Sequence, residues 1–253
     1  MRTSRRKAVR PFAAARALRR LLGNPDDTQQ VFAIVDALKG RQTERGLRQF
    51  AATEVGRQVL AERRHLIDTL NDRATLAALP RGTLGREYHE FLAEENLSAA
   101  GLAEVPRDRG EMTPDEQLFA NRMRDLHDLF HVITGYGREP MGEVCALAFT
   151  YPQMKGRGIG VIAFVGMLKI SRDLPGCGVP GAVAEAYRYG RSAARLAAQD
   201  WEALMDQPVA ALRVRFGLRP PAKYQAALAA RLASKVKSIP SRSPRAGEGR
   251  GEG

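Results

Sequence analysis

The chain has 253 residues, 44% of them hydrophobic, with 40 lysines and arginines against 28 acids and a net charge of +12. That length and apolar content supply a sizeable core for one large domain or two small ones, and no stretch reaches the roughly 20 apolar residues of a membrane-spanning helix. The basic balance favours anionic partners such as a membrane surface, phosphates or acidic substrates. Nucleic acid is excluded for want of zinc-finger spacing, an aromatic RNP-like run or a recognition helix, and two cysteines, Cys145 and Cys177, exclude a disulfide framework and fit a reducing cytoplasm.

Met1–Gly23 is arginine-rich and acid-free. It could pass for a mitochondrial transit peptide, but it lacks the usual serines, and a bacterial cytoplasmic protein fits equally well. Residues 1–10 read as a basic tail. Pro11 to Leu22 predicts a short amphipathic helix with Arg16, Arg19 and Arg20 on its polar side, suited to anionic lipid or to docking on the core. Asp26-Asp27 can cap a helix over Thr28–Leu38, and Gly40 ends it. Thr43–Leu70 breaks into helical pieces. The turn Leu79-Pro80-Arg81-Gly82 leads to a helix capped by Thr83 and running to Leu97, with Leu84, Tyr88, Phe91 and Leu92 on one face; His65 and His89 read as surface residues. Ser98–Gly110 predicts a loop with a short helix.

Thr113-Pro114-Asp115-Glu116 is a capping box with Pro at the first helical position, so a helix should run from Pro114 to about Ile133. A turn at Gly135-Tyr136-Gly137 and a new start at Pro140 follow, with that helix ending near Phe149. Gly156–Gly160 reads as a glycine-rich loop without a Walker lysine, and Gly160–Ser171 as a nearly all-apolar helix. After a turn at Pro175–Gly178, Pro180 opens a long helix to Met205; Asp200, Trp201 and Glu202 on it read as structural. Pro208 opens another helix, and Pro220-Pro221 precedes a last basic helix to Val236. Residues 237–253, rich in Ser, Pro, Gly and Arg, read as a disordered tail. No strand pattern occurs, so the fold class is all-α: one multi-helix bundle over residues 11–236.

The chemistry concentrates in DLHDLFHVITGYGREPMGE, Asp125 to Glu143. His127 and His131 lie about 40° apart on a helix wheel, with Asp128 in the same arc. A helix, a tight reversal and a second helix would carry Glu143 back across the two imidazoles. His127, Asp128, His131 and Glu143 then offer two nitrogens and two oxygens to a divalent metal, with zinc, iron, manganese or cobalt all suitable. An i, i+4 histidine pair also arises by chance at the margin of amphipathic helices. The pattern is not the zincin HExxH, since Asp128 stands where the glutamate would. An HD-type phosphohydrolase would need further ligands that no suitable spacing supplies.

HDLFH…E, preceded by LPRGTLGREYHEFLAEENLSAAGL and followed by AEAYRYGRSAARLAAQDWEALMDQPVAALRVRFGL, resembles the Coq4 family of ubiquinone biosynthesis proteins. The likeness also takes in DDTQQVFAIVDALKG and spans about Leu18 to Tyr224. The family pattern, HDxxH, eleven residues, E, is matched without departure, which implies that His127, Asp128, His131 and Glu143 are the metal ligands. The resemblance further implies an all-helical protein peripheral to the inner membrane, on the matrix side if mitochondrial. It would act on a polyprenylated quinone precursor by replacing the C1 carboxylate with hydroxyl, or serve as a lipid-binding scaffold for the other quinone-biosynthesis enzymes. A homodimer is left open. No residue is assigned as general acid or base. Tyr88, Tyr187 and Arg191 are candidates for binding substrate, Arg191 through a carboxylate or phosphate; helix packing, or an ion pair of Arg191 with Glu185 or Asp200, would explain them as well.

Overall fold

The computed structural model describes residues 9–24, 27–93 and 112–237. Among them are thirteen α-helices and no strand, in keeping with the all-α expectation; one isolated bridge joins Thr83 to Pro208. The expectations for residues 1–8 of the basic tail, for Asp26, for the stretch from 94 to 111 and for the tail after 237 lie outside the described residues.

The main core gathers around two helices, α8 (Pro114–Thr134) and α9 (Pro140–Met154). α8 buries Leu126, Leu129, Phe130 and Ile133 on one side, the apolar stripe that its 3.6-residue period predicts. Phe130 meets the rings of Phe149 on α9 and of Trp201, at 5.9 and 6.3 Å between centroids. α11 (Val179–Ser192) lies against α9 so closely that a Cβ on Gly190 would come within 2.1 Å of the Phe149 carbonyl oxygen. Ala182, Ala186 and Gly190, four residues apart, form the stripe that allows this approach.

A second, smaller core joins α1 (Pro11–Gly23), α2 (Thr28–Lys39) and α10 (Arg157–Asp173) through Ala17, Leu21 and Ile34. A third joins α3 (Gln42–Ala51) and α4 (Glu54–Glu62) to α8 through Phe50, Val59 and Phe119. Short helices α5 (Leu66–Asn71) and α6 (Arg73–Ala78) lead into α7 (Leu84–Ala93), which packs on α8. α12 (Val209–Arg215) packs on α8 and α13 (Ala222–Lys237) packs on α11.

Four local expectations are corrected. The helix from Pro180 ends at Ser192, not Met205. There the backbone turns extended, and it spends its next hydrogen bonds on tertiary partners: Ala194 N–H on the Phe216 carbonyl at 2.9 Å, Leu196 N–H on the Gln153 side-chain oxygen at 3.0 Å. That detour buries Trp201 completely, its Nε1–H donating to the Leu196 carbonyl at 2.8 Å. The acids beside it are paired, Asp200 with Arg64 and Glu202 with Arg122. The glycine-rich stretch is the first turn of α10, since Gly158 lies against Val35 Cα and Gly160 against the Tyr151 ring, where side chains would collide. α9 continues through Pro152 to Met154. His89 is half-buried, with its Nδ1 out of contact with solvent.

Candidate metal centre

The site is built by the reversal between α8 and α9. Thr113 accepts from the Glu116 N–H and Glu116 returns the bond, the capping box that starts α8. α8 stops at Gly135, which takes the left-handed conformation at φ 79 and donates to the His131 carbonyl. Glu139 caps α9 by accepting from the Gly142 N–H at 3.0 Å, with Pro140 at the first position. A Cβ on Gly142 would lie 2.1 Å from the Gly137 carbonyl oxygen, so the two helices can close this tightly only over glycine. The reversal returns Glu143 over the imidazoles one turn into α9.

His127 Nε2 and His131 Nε2 stand 3.3 Å apart. The Glu143 carboxylate spans them, Oε2 at 3.4 Å from His127 and Oε1 at 3.5 Å from His131. The two rings are nearly perpendicular, so their Nε2 atoms converge and their planes do not stack. Ligand atoms about 2.0–2.1 Å from a tetrahedral zinc stand roughly 3.3–3.4 Å from one another, so these separations fit a single divalent ion. The ligand atoms of all three residues lie within 4.8 Å of one another, a cluster that can hold a metal ion.

His131 is buried and fixed on its far side. Its Nδ1–H donates to the Tyr136 carbonyl at 3.0 Å, and Phe91 stacks on its ring. A proton held on Nδ1 leaves Nε2 as the lone-pair donor, the outer support that metal-binding histidines use. The Tyr136 carbonyl is held in turn: Gly137 N–H donates to the Tyr224 hydroxyl at 2.9 Å, and that hydroxyl donates to Glu139 Oε1 at 2.8 Å. Burial disfavours a charged His131. Its hydrogen bond to Glu143, that carboxylate's charge, the Tyr136 carbonyl and Asp128 outweigh this and raise its pKa. Burial likewise pushes Glu143 up, but hydrogen bonds from both imidazoles win and hold its carboxyl far below the usual range.

Asp128 stands apart from that cluster. It is buried at the neighbouring position of α8, and Arg138 Nη2 lies 3.4 Å from its Oδ1; the Arg138 guanidinium covers the Phe91 ring at 4.2 Å. His127 and Asp128 both face a cavity of about 450 Å³ whose apolar walls include Phe50, Ile67, Leu70, Phe119, Met123 and Leu147. Tyr88 lines the same cavity. Burial, then the charge of Asp128, raises its phenol well above the ordinary value, so it stays protonated as a hydrogen-bond donor. Tyr187 and Arg191 lie elsewhere: Tyr187 stacks on Tyr151 at 6.0 Å, with Arg191 5.9 Å above its ring. Arg191 is exposed, and Glu185 instead accepts from the Lys223 N–H.

Sequence reading missed Tyr136, Glu139 and Tyr224. The Glu-Pro pair at 139–140 is a legible cap signal, whereas a supporting main-chain carbonyl and a hydroxyl 87 residues away leave no local pattern. It also missed Arg124, on the cavity wall one turn before His127, whose Nε and Nη2 hold Asp125 Oδ1 at 3.0 and 2.8 Å.

Residues 7–222 match the family described as coenzyme Q (ubiquinone) biosynthesis protein Coq4. The mitochondrial COQ4 homologue of Rattus norvegicus is 30% identical over 220 residues, 85% of this chain and 80% of that protein. The mitochondrial COQ4 homologue 2 of Culex quinquefasciatus is 35% identical over 97 residues, which cover 38% of this chain and 42% of that one. A crystal structure of a Nostoc punctiforme protein shares the fold, with a TM-score of 0.63 at 23% identity, over 83% of this chain and 99% of that chain.

Proposed function

The chain belongs to the Coq4 family, whose members take part in ubiquinone biosynthesis, and from that premise we propose that it carries out a metal-dependent step on the quinone ring. The substrate is a polyprenylated hydroxybenzoate-type precursor, and the step is oxidative decarboxylation, with hydroxyl replacing the C1 carboxylate. One observation carries this reading: an imidazole–imidazole–carboxylate cluster borders an apolar cavity, with His127 on the shared wall. His127, His131 and Glu143 would hold the ion, with Asp128 beside them. A divalent ion bound there would supply Lewis-acid polarisation of a ring carboxylate or phenolate, and iron, manganese or cobalt would add redox chemistry that zinc lacks.

The chain's own residues do the rest. Tyr136 fixes the His131 ring so that Nε2 faces the site. The Arg138–Asp128 pair neutralises a buried carboxylate in the cavity lining. The aliphatic and phenyl wall excludes water from the ring and the start of the prenyl tail, and Tyr88 offers a protonated hydroxyl to a ring oxygen. Tyr187 and Arg191, outside the cavity, would meet only parts of a substrate that extend along α11.

A polyprenyl tail requires access from lipid. Among the described residues no helix is long and apolar enough to cross a membrane. Phe12 on α1 and Phe164 on α10 are 90% and 58% exposed, with Arg16, Arg19, Arg20, Lys169 and Arg172 on the same two helices. Such basic residues contribute about 1 kcal/mol each near an anionic leaflet, which supports peripheral attachment to the inner membrane beside the other quinone-biosynthesis enzymes.

The test is incubation of anaerobically purified, metal-loaded protein with a prenylated hydroxybenzoate and O2, following loss of the carboxylate. Turnover by wild type and none by His127→Ala is the expected result. If metal-free protein turns over at the wild-type rate, the chemistry is wrong. If loaded protein never turns over, while metal loss lowers Tm and recovery of partner enzymes, the cluster is a staple between α8 and α9 in a scaffold.

A further inference from the structure

Beside the cavity lies a second pocket of about 140 Å³, whose lining includes neither histidine of the metal cluster. It adjoins the first, sharing Lys39, Gln42, Gln49 and Gln153 among its walls. Five basic residues line it, Lys39, Arg41, Arg45, Lys155 and Arg157, and no acid does. Arg41 is paired with Glu44 at 2.6 Å. Arg45, Lys155 and Arg157, all exposed, form no ion pair among the described residues, so three cations share one concavity with no carboxylate in its lining.

Two further features point the same way. α3 and α10, ten and seventeen residues long, both begin at this pocket, and neither has a side-chain cap. Neither helix start therefore has a capping side chain on its first N–H groups, and α10, unlike α3 with Glu44, carries no acid in its first turn to offset its positive end. Lys155 follows α9 at φ 51, in the left-handed region where glycine is the default ending. A lysine is thus held at the rim in a conformation that glycine would adopt without strain.

We propose that this pocket binds a phosphate group, with Arg45, Lys155 and Arg157 as its charged contacts and the starts of α3 and α10 as its main-chain donors. Multiple cations with unspent N–H groups suit a polyvalent oxyanion. The phosphate comes either from a small molecule in solution or from a phospholipid headgroup at the mouth of the cavity. The site stands apart from the metal centre and does not depend on it.

The test uses the full chain at low ionic strength. Inorganic pyrophosphate is titrated calorimetrically, and flotation compares vesicles of phosphatidylcholine alone with vesicles containing phosphatidate. The variants are Arg45→Gln/Lys155→Gln/Arg157→Gln, and a charge-matched control at exposed positions outside the pocket, Arg215→Gln/Arg219→Gln/Lys223→Gln. The pocket variant should lose affinity for pyrophosphate, for phosphatidate vesicles or for both by tenfold or more, with metal content unchanged, while the control keeps the affinity that the pocket variant loses. Loss in the pyrophosphate arm alone identifies a soluble phosphate, and loss in the vesicle arm alone identifies the headgroup. Lys155→Gly separates binding from folding, since it should melt no lower than wild type yet bind more weakly. Equal losses in pocket variant and control, or no loss in the pocket variant, overturn the proposal.

Discussion

If the cluster binds a metal as proposed, the proton on His131 sets how tightly it does so. A ligating imidazole must be neutral, and the folded protein raises the His131 pKa while keeping Glu143 ionised. In metal-free protein the His131 contribution to stability is fully present below its unfolded pKa of about 6.5 and is lost as pH rises through the higher folded value. Glu143 acts in the opposite direction and only in acid, its contribution being lost as pH falls through its depressed folded value. Metal affinity should therefore weaken from pH 8 to pH 6, and the rise in Tm on adding metal should widen from pH 6 to pH 8. Melting curves with and without metal check this; a pH-independent gap would contradict it. The Tyr224 hydroxyl supports the loop whose Tyr136 carbonyl orients His131. Tyr224→Phe keeps the ring and removes that bond, and should weaken metal binding about 10-fold or more, while destabilising metal-free protein by about 1 kcal/mol. A competitive titration with a chelator measures the first effect, and urea unfolding the second.

At the scale of elements, the reversal between α8 and α9 is what the sequence announces most plainly. The capping box at Thr113, the Gly135 stop and the Pro140 start are local signals read by the backbone of the same few residues, so they survive into the structure at nearly the expected positions. The end of α11 was not legible, because it is set by partners far along the chain, Phe216 and Gln153, and by the need to bury Trp201. The glycines of α10 read as a loop for the same reason: their use is the approach of Val35 and Tyr151, which no single stretch reveals. Of the candidate site, the histidines and Glu143 were legible from helical period, whereas the pairing of Asp128 with Arg138 and the separate location of Tyr187 and Arg191 depend on packing. Two glycines test the elements separately. Gly142→Ala pushes the Gly137 carbonyl and should lower both stability, by about 1–3 kcal/mol, and metal content. Gly190→Ala pries α11 from α9 and should destabilise by a similar amount with metal content retained. Unfolding curves and metal analysis of the two purified variants distinguish these outcomes.

Across the whole molecule, one buried ion pair ties α8 to the segment that follows α11. Arg122 is almost wholly buried and meets both oxygens of Glu202, at 2.6 and 2.7 Å, with a further bond to the Gln199 carbonyl at 3.3 Å. Burial pushes the Glu202 carboxyl up, but its bonds to Arg122 prevail and lower its pKa. Glu202→Ala strands a guanidinium in the interior and should cost about 3–5 kcal/mol; replacing both partners by apolar residues should restore much of it. Urea unfolding of the single and double variants decides this, and a single variant as stable as wild type would show that the pair is not needed. Arg122 also lies over the ring of Phe50 on the cavity wall, 5.8 Å from its centroid, so loss of the pair should also lower metal content. Metal analysis of anaerobically purified wild type beside His127→Ala/Glu143→Gln tests the central claim most directly. One divalent ion per chain in wild type, lost in a variant that keeps its helical circular dichroism, is the predicted result. An equal metal content in the two would contradict it.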